Sequence, residues 1–359
     1  MSARDGAIGR WLQRQWYARP LEQSGWALWL VPFGAVYALA MRWRRALYAR
    51  GVLAKVRLNV PVVVVGNVAV GGTGKTPLTV AIVECLRERG LRPGVLCRGY
   101  GGRSRHWPRV VEAHAEAGEV GDEAILLRRR CACPVAAGPD RAAAGRALVE
   151  RQACDGLVCD DGLQQLALER DVEIAVIDAA RGQGNGRCLP AGPLRESPDR
   201  LESVDLLVEH VAAPSDRPAG PAGPPSRHTM WLRPGPVAPL NGGTAELNLN
   251  EFSGSRVRAL AGIGNPERFF RMLEAHGLDV ERHPFADHHD YGAGDLDFDG
   301  ALPVLVTEKD AVKLAPLLAV RCKLRGTPTR WSVPVSACLD DAFAVELLAR
   351  LADAAPALH

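Results

Sequence analysis

The run Gly71-Gly72-Thr73-Gly74-Lys75-Thr76 packs three glycines, one lysine and two hydroxyl side chains into six residues. Glycines at that density let backbone N–H groups turn inward on an anion, and the lysine adds a mobile positive charge. The Thr76 hydroxyl is placed to hold a cation, and Lys75 to reach the outer phosphates of a nucleotide. Other residues that could carry chemistry are scattered along the chain. They are Arg98 and Tyr100 in Arg-Gly-Tyr-Gly-Gly, the acidic pairs Asp122-Glu123 and Asp160-Asp161, and the run Asp287-His288-His289-Asp290.

Each of these has a plain reading beside the chemical one. Asp160-Asp161 ends an apolar run, where a magnesium-binding carboxylate belongs, or it simply opens an Asp-Gly turn. Successive strand residues point opposite ways, so one carboxylate would face a metal and the other a different partner. Asp122 and Glu123 open a helical segment, where carboxylates also complement the helix dipole. Arg98 at a strand end suits an anionic substrate or an ordinary turn. Adjacent residues seldom converge on one ion, so the Asp-His-His-Asp run reads equally as a carboxylate–imidazole pair or a solvated loop.

These residues need elements to position them. Val62-Val63-Val64-Val65 is a continuous β-branched run, the mark of a strand buried on both faces. A helix is predicted from Thr79 to Arg89, with Pro77 tolerated just inside its start. Strand, Gly-rich loop and helix in that order form a P-loop, whose helix N-terminus adds a positive dipole end. Ala69 stands where the generic pattern begins with Gly. A glycine-rich turn that merely caps a helix is the competing reading.

Further strand-like runs at 94–98, 156–160, 173–177 and 204–208 alternate with helical segments at 121–130 and 140–152, which predicts a parallel sheet with crossover helices. The segment 213–227 is Pro/Gly-rich and reads as a surface insertion. Thr229–Leu232 and Thr244–Leu249 are expected to pair as a hairpin-like connector. Strands at 257–261 and 303–306 and helices at 266–276 and 309–319 then suggest a smaller C-terminal α/β domain. Thr307 reads as the N-cap of the last of these helices. The expected division is a basic head 1–58, a P-loop domain 59–228, a connector 229–250 and a C-terminal α/β domain 251–359.

Charge is unevenly spread. Residues 1–57 hold ten Arg/Lys against Asp5 and Glu22, a net +8, whereas the whole 359-residue chain carries +3 and the remaining 302 residues therefore −5. A basic head on a mildly acidic body points to an anionic surface as partner. Residues 25–41 carry no charge but fall short of the roughly 20 apolar residues a spanning helix needs. Pro32 and Gly34 interrupt them. Ile8, Trp11, Leu12 and Trp16 recur at helical spacing, and Arg42, Trp43, Arg44 and Arg45 follow the apolar run. Tryptophans and arginines flanking an apolar stretch suit a helix lying in a membrane interface; a hairpin packed on the core, or a single span, are the alternatives. No nucleic-acid recognition motif is present. Nine scattered cysteines without paired CxxC motifs fit reduced core residues of a cytoplasmic protein, and Cys131-Ala132-Cys133 is too closely spaced to argue for zinc.

Taken together the ordered blocks resemble one family, the tetraacyldisaccharide 4'-kinases of lipid A biosynthesis. The blocks are VGNVAVGGTGKTP (65–77), RGYGG (98–102), GDE (121–123), DDGLQ (160–164), GNGRCLPAGPLRE (184–196), AGIGNPERFF (261–270), FADHH (285–289) and TEKDAVKL (307–314). The resemblance implies transfer of the ATP γ-phosphoryl to the 4'-hydroxyl of a tetraacylated glucosamine disaccharide 1-phosphate, at the cytoplasmic face of the inner membrane. It also implies a fold, a P-loop NTPase parallel sheet with N-terminal membrane-associating helices and a smaller C-terminal α/β domain. By this resemblance Gly71, Gly72, Thr73, Gly74, Lys75 and Thr76 cradle ATP and Mg2+. Asp122 matches the family's catalytic base and His288 its partner imidazole. Glu123, Asp160 and Asp161 match acidic residues around metal and nucleophile, with Thr76, Glu123 and Asp160 assigned to the metal and Asp161 and Lys75 to catalysis. Arg98 and Tyr100 fall in a block expected near substrate. The family shows Gln-His where this chain has Gln164-Gln165, so a role for that histidine does not carry over. A soluble P-loop small-metabolite kinase or synthetase, and a nucleotide-dependent switch or chaperone, are the other readings; the first leaves residues 1–57 unexplained, and the second has no need of Asp122 with His288.

Overall fold

A computed structural model of the chain describes residues 15–17, 28–216, 225–240, 246–296, 298, 302–321 and 329–354. Helix α1 (Val31–Ala49) precedes an alternating series: β1 (Val62–Gly66), α2 (Lys75–Glu88), β2 (Pro93–Cys97), β3 (Arg109–Val110), α3 (Asp122–Cys131), β4 (Val135–Ala137), α4 (Arg141–Gln152), β5 (Gly156–Cys159), β6 (Val172–Asp178), β7 (Leu206–His210) and β8 (Ser226–Pro234). A second series follows: β9 (Ala238–Pro239), β10 (Arg256–Ala261), α5 (Pro266–Ala275), β11 (Asp279–Pro284), β12 (Val304–Thr307), α6 (Glu308–Arg321) and β13 (Arg330–Val333). The described chain closes with β14 (Val335–Leu339) and α7 (Asp341–Ala354).

Nine strands form the large sheet in the order β14-β8-β7-β6-β1-β5-β2-β4-β3. All neighbours run parallel except the outer pairs β3–β4 and β8–β14. Every residue of β1, β2, β5 and β7 is buried. That is the burial a parallel sheet covered on both faces demands, and it explains the uninterrupted Val run. One face packs on α2, α3 and α7, and the other on α4. β1 lies centrally between β5 and β6 and feeds the Gly-rich loop. Val64 pairs with Cys159, so Asp160 emerges beside the start of that loop.

Five strands form the smaller sheet, ordered β11-β10-β12-β13-β9 and parallel except at β9. The two lobes are not sequential blocks. β14 pairs antiparallel with β8, and Phe343, Leu347 and Leu351 of α7 are buried in the core of the large lobe. The sequence reading runs the second unit on to residue 359. Its last strand and helix instead return to the first, because α7's apolar face has that core to fill. Nor do 229–232 pair with 246–249, the described part of 244–249. Thr229–Leu232 lie inside β8, between β7 and β14. Val237 bridges Leu247 alone. Ser226 and Arg227, read as part of the insertion, are also in β8, while residues 217–224 lie outside the described part.

Pro32 does not break α1; it sits in the helix's first turn, where no intrahelical N–H is lost. Gly34 brings the helix backbone against the 188–191 loop, where a Cβ would stand 2.8 Å from the Cys188 carbonyl oxygen. The opposite side of α1 and the turn before it expose Trp29, Phe33, Val36, Leu39 and Trp43. Among the described residues no helix is long and apolar enough to cross a membrane. Of the earlier apolar positions, Ile8, Trp11 and Leu12 lie outside the described part; Trp16 donates its indole N–H to the Pro190 carbonyl at 3.0 Å.

Candidate active site

The cradle begins where β1 ends. Asn67 is fully buried and its side chain braces the loop, with Nδ2 donating to the Ala69 carbonyl at 2.5 Å. Its Oδ1 accepts from Lys75 Nζ at 3.1 Å. Lys75 also lies 3.3 Å from Asp161 Oδ1, and Arg195 Nη1 is 3.0 Å from both Asp161 oxygens. Burial works upward on the Asp161 carboxyl, but Lys75 and Arg195 outweigh it and hold it at about 2. Thr73 is buried, and its hydroxyl has no partner among the described residues. Gly74 is left-handed at φ 96° and opens α2.

Thr76 is the hub of an oxygen cluster. Its Oγ1 lies 3.2 Å from Asp160 Oδ2 and 3.3 Å from Glu123 Oε1. Thr79 donates to the other Asp160 oxygen at 3.1 Å, as does the Asp161 N–H. Burial first, then the Glu123 carboxylate, push Asp160 up to about 7 against the pull of Lys75. A buried carboxylate and a half-buried one crowding one hydroxyl are costly unless a cation joins them. An all-oxygen donor set of one hydroxyl and two carboxylates suits Mg2+, which takes its other ligands from water and phosphate. Among the described residues no group of three or more His, Cys, Asp or Glu is placed to hold a metal ion.

Asp122 comes from the first turn of α3, and at 5 % exposure it faces inward across the gap between lobes. His288 arrives from the other lobe, on a loop where its own φ is 58°. The imidazole Nδ1 is 3.2 Å from both Asp122 oxygens, and Lys309 Nζ is 3.2 Å from Nε2. A carboxylate accepts and an ammonium donates, so the proton sits on Nδ1 and Nε2 accepts. Lys313 Nζ adds a second contact to Asp122 at 3.4 Å. Burial would raise Asp122, but the hydrogen bond from His288 and the charges of Lys309 and Lys313 prevail, holding it at about 2. α6 supplies both lysines. It is held against α3 by Arg130, whose Nη1 donates to Glu308 at 2.9 Å. The Tyr100 ring lies 4.5 Å from the His288 ring, while Arg98 is exposed at the end of β2.

Thus Lys75, Thr76, Glu123, Asp160, Asp161, Asp122, His288 and Tyr100 converge on one cleft. His289 turns away to Asp295 at 3.1 Å, so the adjacent histidines do not act together. Sequence reasoning assigned no role to Asn67, Arg195, Lys309 or Lys313. All four lie inside the ordered blocks, and for the last three a basic residue in such a block was the available signal. Gln164 donates to Glu196 at 2.9 Å and to the Asn67 carbonyl at 3.2 Å, tying the loop after β5 to the cradle.

Comparison with known proteins identifies the family. The sequence profile of the family described as Tetraacyldisaccharide-1-P 4'-kinase matches residues 26–352. A relative from Alkalilimnicola ehrlichii named tetraacyldisaccharide 4'-kinase is 48% identical over 339 residues, covering 94% of this chain and 96% of its own. A second of the same name, from Methylobacillus flagellatus, is 43% identical over 348 residues, covering 96% of this chain and 97% of its own. The crystal structure of LpxK from Aquifex aeolicus in complex with ATP superposes with a TM-score of 0.73 at 26% identity, covering 90% of this chain and 99% of that one. With the family profile spanning both lobes, the chain belongs to the tetraacyldisaccharide-1-P 4'-kinase family.

Proposed function

We propose that the protein transfers the γ-phosphoryl of ATP to the 4'-hydroxyl of a tetraacylated glucosamine disaccharide 1-phosphate. The observation that carries this is the Asp122–His288 pair, assembled across the two lobes one residue from Glu123 of the Thr76 cluster. Lys75 and the Gly71–Gly74 backbone take the phosphates, and the Thr73 hydroxyl gains there the partner it lacks. Thr76, Glu123 and Asp160 would hold Mg2+, which supplies neutralisation of phosphate charge. Asp122 is ionised at neutral pH and oriented by His288, so it accepts the proton of the attacking sugar hydroxyl. In a loose transfer that proton leaves late, and a weak base suffices once positioned. Lys309 and Lys313 keep Asp122 charged and offset the negative charge gathering in the cleft. Asp161, paired with Lys75 and Arg195, holds the lysine in place. Arg98 and Tyr100 flank the entry for an anionic lipid.

The lipid substrate bears on α1. Its exposed face of Phe33, Val36, Leu39 and Trp43, with Arg42 exposed alongside, fits the headgroup layer of an anionic membrane. We place the protein at the cytoplasmic face of the inner membrane, where free cysteines persist.

The test is incubation in detergent micelles with γ-labelled ATP, Mg2+ and the tetraacyldisaccharide 1-phosphate, followed by thin-layer chromatography. Label enters the lipid with the wild type, and Lys75→Ala abolishes it. Asp122→Asn lowers kcat by about 10²–10⁴, the range of a general base. Retention of near-wild-type turnover by Asp122→Asn overturns the assignment of the base.

A further inference from the structure

The smaller lobe reaches the nucleotide cradle at a second point, through groups other than Asp122 and His288. Gly264, in the turn before α5, lies directly on Gly71 and Gly72; a Cβ there would stand 2.2 Å from the Gly72 nitrogen. Next to it Arg268, on the first turns of α5, spans two groups of the large lobe. Its Nη2 lies 2.7 Å from Asp178 at the end of β6, and its Nη1 rests on the ring of His210 at the end of β7, against Nδ1 and 3.1 Å from Nε2. His210 in turn is 2.8 Å, through Nδ1, from the carbonyl oxygen of Thr73 inside the Gly-rich loop. Beneath Gly74 the same ring leaves no space, since a Cβ there would meet Nδ1 at 2.7 Å.

An arginine only donates, so the ring keeps one unprotonated nitrogen and the imidazole is neutral; a proton on Nδ1 serves the Thr73 carbonyl, which only accepts, and leaves Nε2 to accept from Arg268. Asp178 is 3 % exposed and His210 1 %, so both sit where a fixed hydrogen bond is worth most. Asn265 Nδ2 donates to the second Asp178 oxygen at 3.1 Å, and Arg181 Nη2 donates to Asn265 Oδ1 at 2.7 Å. None of these residues takes part in the phosphoryl transfer described above. Their contacts with the cradle run through the backbone of the loop.

We propose that Arg268 is a positioning residue for the phosphate cradle: through His210 it fixes the Thr73 peptide, so that docking of the smaller lobe sets how well the loop holds ATP. The inference rests on the kinase reading for the identity of the anion, but its geometry is independent of the Asp122–His288 pair. It concerns binding of the phosphates, not the proton transfer. An arginine suits this place because its planar fork meets the carboxylate and the ring from two separate nitrogens in a fixed geometry, whereas an ammonium must serve both from one point.

The experiment compares Arg268→Ala, Arg268→Lys, His210→Ala and His210→Gln with the wild type. It reads kcat, KM for ATP and for lipid, Tm, and titration of a fluorescent ATP analogue. Glutamine can donate to the Thr73 carbonyl and accept from Arg268, as the neutral imidazole does. Arg268→Ala and His210→Ala are expected to weaken ATP about ten-fold, in the range of site-to-site coupling. Lipid KM and kcat stay within about two-fold, and His210→Gln restores ATP affinity. Arg282→Ala, on the same lobe but paired outward with Glu267 and Glu274, serves as control and leaves ATP affinity unchanged. The proposal is overturned if folded Arg268→Ala and Arg268→Lys both bind ATP as the wild type does. It is equally overturned if His210→Gln is as weak as His210→Ala, or if all kinetic constants and Tm fall together. A wild type that binds the analogue but labels no lipid refutes the kinase reading instead, and the titrations still decide this one.

Discussion

Asp122 and His288 stand 166 positions apart in sequence, and Thr76 and Asp160 84, yet each pair is in hydrogen-bond contact. Residue types and local spacing mark such groups as candidates but not as partners. Asp122 shows why. On local rules it is one more carboxylate in a helix's first turn, and only the ordered blocks distinguish it. Lys309, Lys313 and Arg195 are harder still, because basic residues near a helix start or in a loop ordinarily serve solvent. His210 and Arg268 gave no local signal; a histidine ending an apolar strand reads as core. His210 now carries a prediction of its own. Burial, then the Arg268 charge, hold its imidazole down at about 4 from the ordinary 6.5. Below the ordinary value the unfolded chain takes up a proton that the folded chain refuses, so stability falls as pH drops from about 6.5 to about 4 and is level below that. A shift of that size corresponds to about 3 kcal/mol. Denaturant melts across this window should show the slope in the wild type and lack it in His210→Gln. An equal slope in both would mean that His210 is not held neutral.

Elements were legible where burial was uniform. β1, β2, β5, β6 and β7 and the helices between them lie where apolar runs and helical spacing placed them, because a parallel sheet covered on both faces writes its burial directly into the sequence. Elements at edges were not. β11 reads Asp-Val-Glu-Arg-His-Pro, charged as an outer strand must be to resist further pairing, and it borders the smaller sheet. β14 and α7 carry ordinary strand and helix patterns, but nothing in their sequence says which sheet they join. Helix α1 was legible in composition and misjudged in continuity, since Pro32 begins the helix and Gly34 docks it. The docked side leaves Phe33, Val36 and Trp43 aligned and 65–69 % exposed. Exposed residues of this kind contribute little to stability. A triple change of Phe33, Val36 and Trp43 to glutamate should therefore leave Tm nearly unaltered. It should also abolish co-sedimentation with vesicles containing anionic lipid while preserving ATP-analogue binding. Undiminished sedimentation would remove α1 from the membrane contact and leave residues before it as the anchor.

At the scale of the whole molecule, the chain crosses between lobes twice, after β8 and again between β13 and β14. The smaller lobe is thus an insertion held at both ends, and its two contacts with the cleft are tethered rather than swinging on one linker. Arg130 reinforces the second crossing, donating to the Val335 carbonyl at 3.1 Å as well as to Glu308. Beyond it, His228 of β8 lies with one ring nitrogen 3.0 Å from Asp340 and the other 3.1 Å from Glu346, fastening the start of α7. Phe343, Leu347 and Leu351 are at most 6 % exposed on the same core that supports the P-loop helix α2. Burying three such side chains contributes roughly 5–9 kcal/mol, against a total stability for a domain of about 5–15 kcal/mol. Had the two units been sequential, truncation after Val333 would spare the large lobe, and every candidate site residue lies before that point. With β14 and α7 closing the large sheet, the truncated chain should instead lose cooperative folding altogether. Its circular dichroism melt and ATP-analogue titration should both fail. A truncated protein melting within about 3 °C of the full chain, a shift worth about 1 kcal/mol at this size, would show that the return of the chain to the first lobe is incidental to its stability.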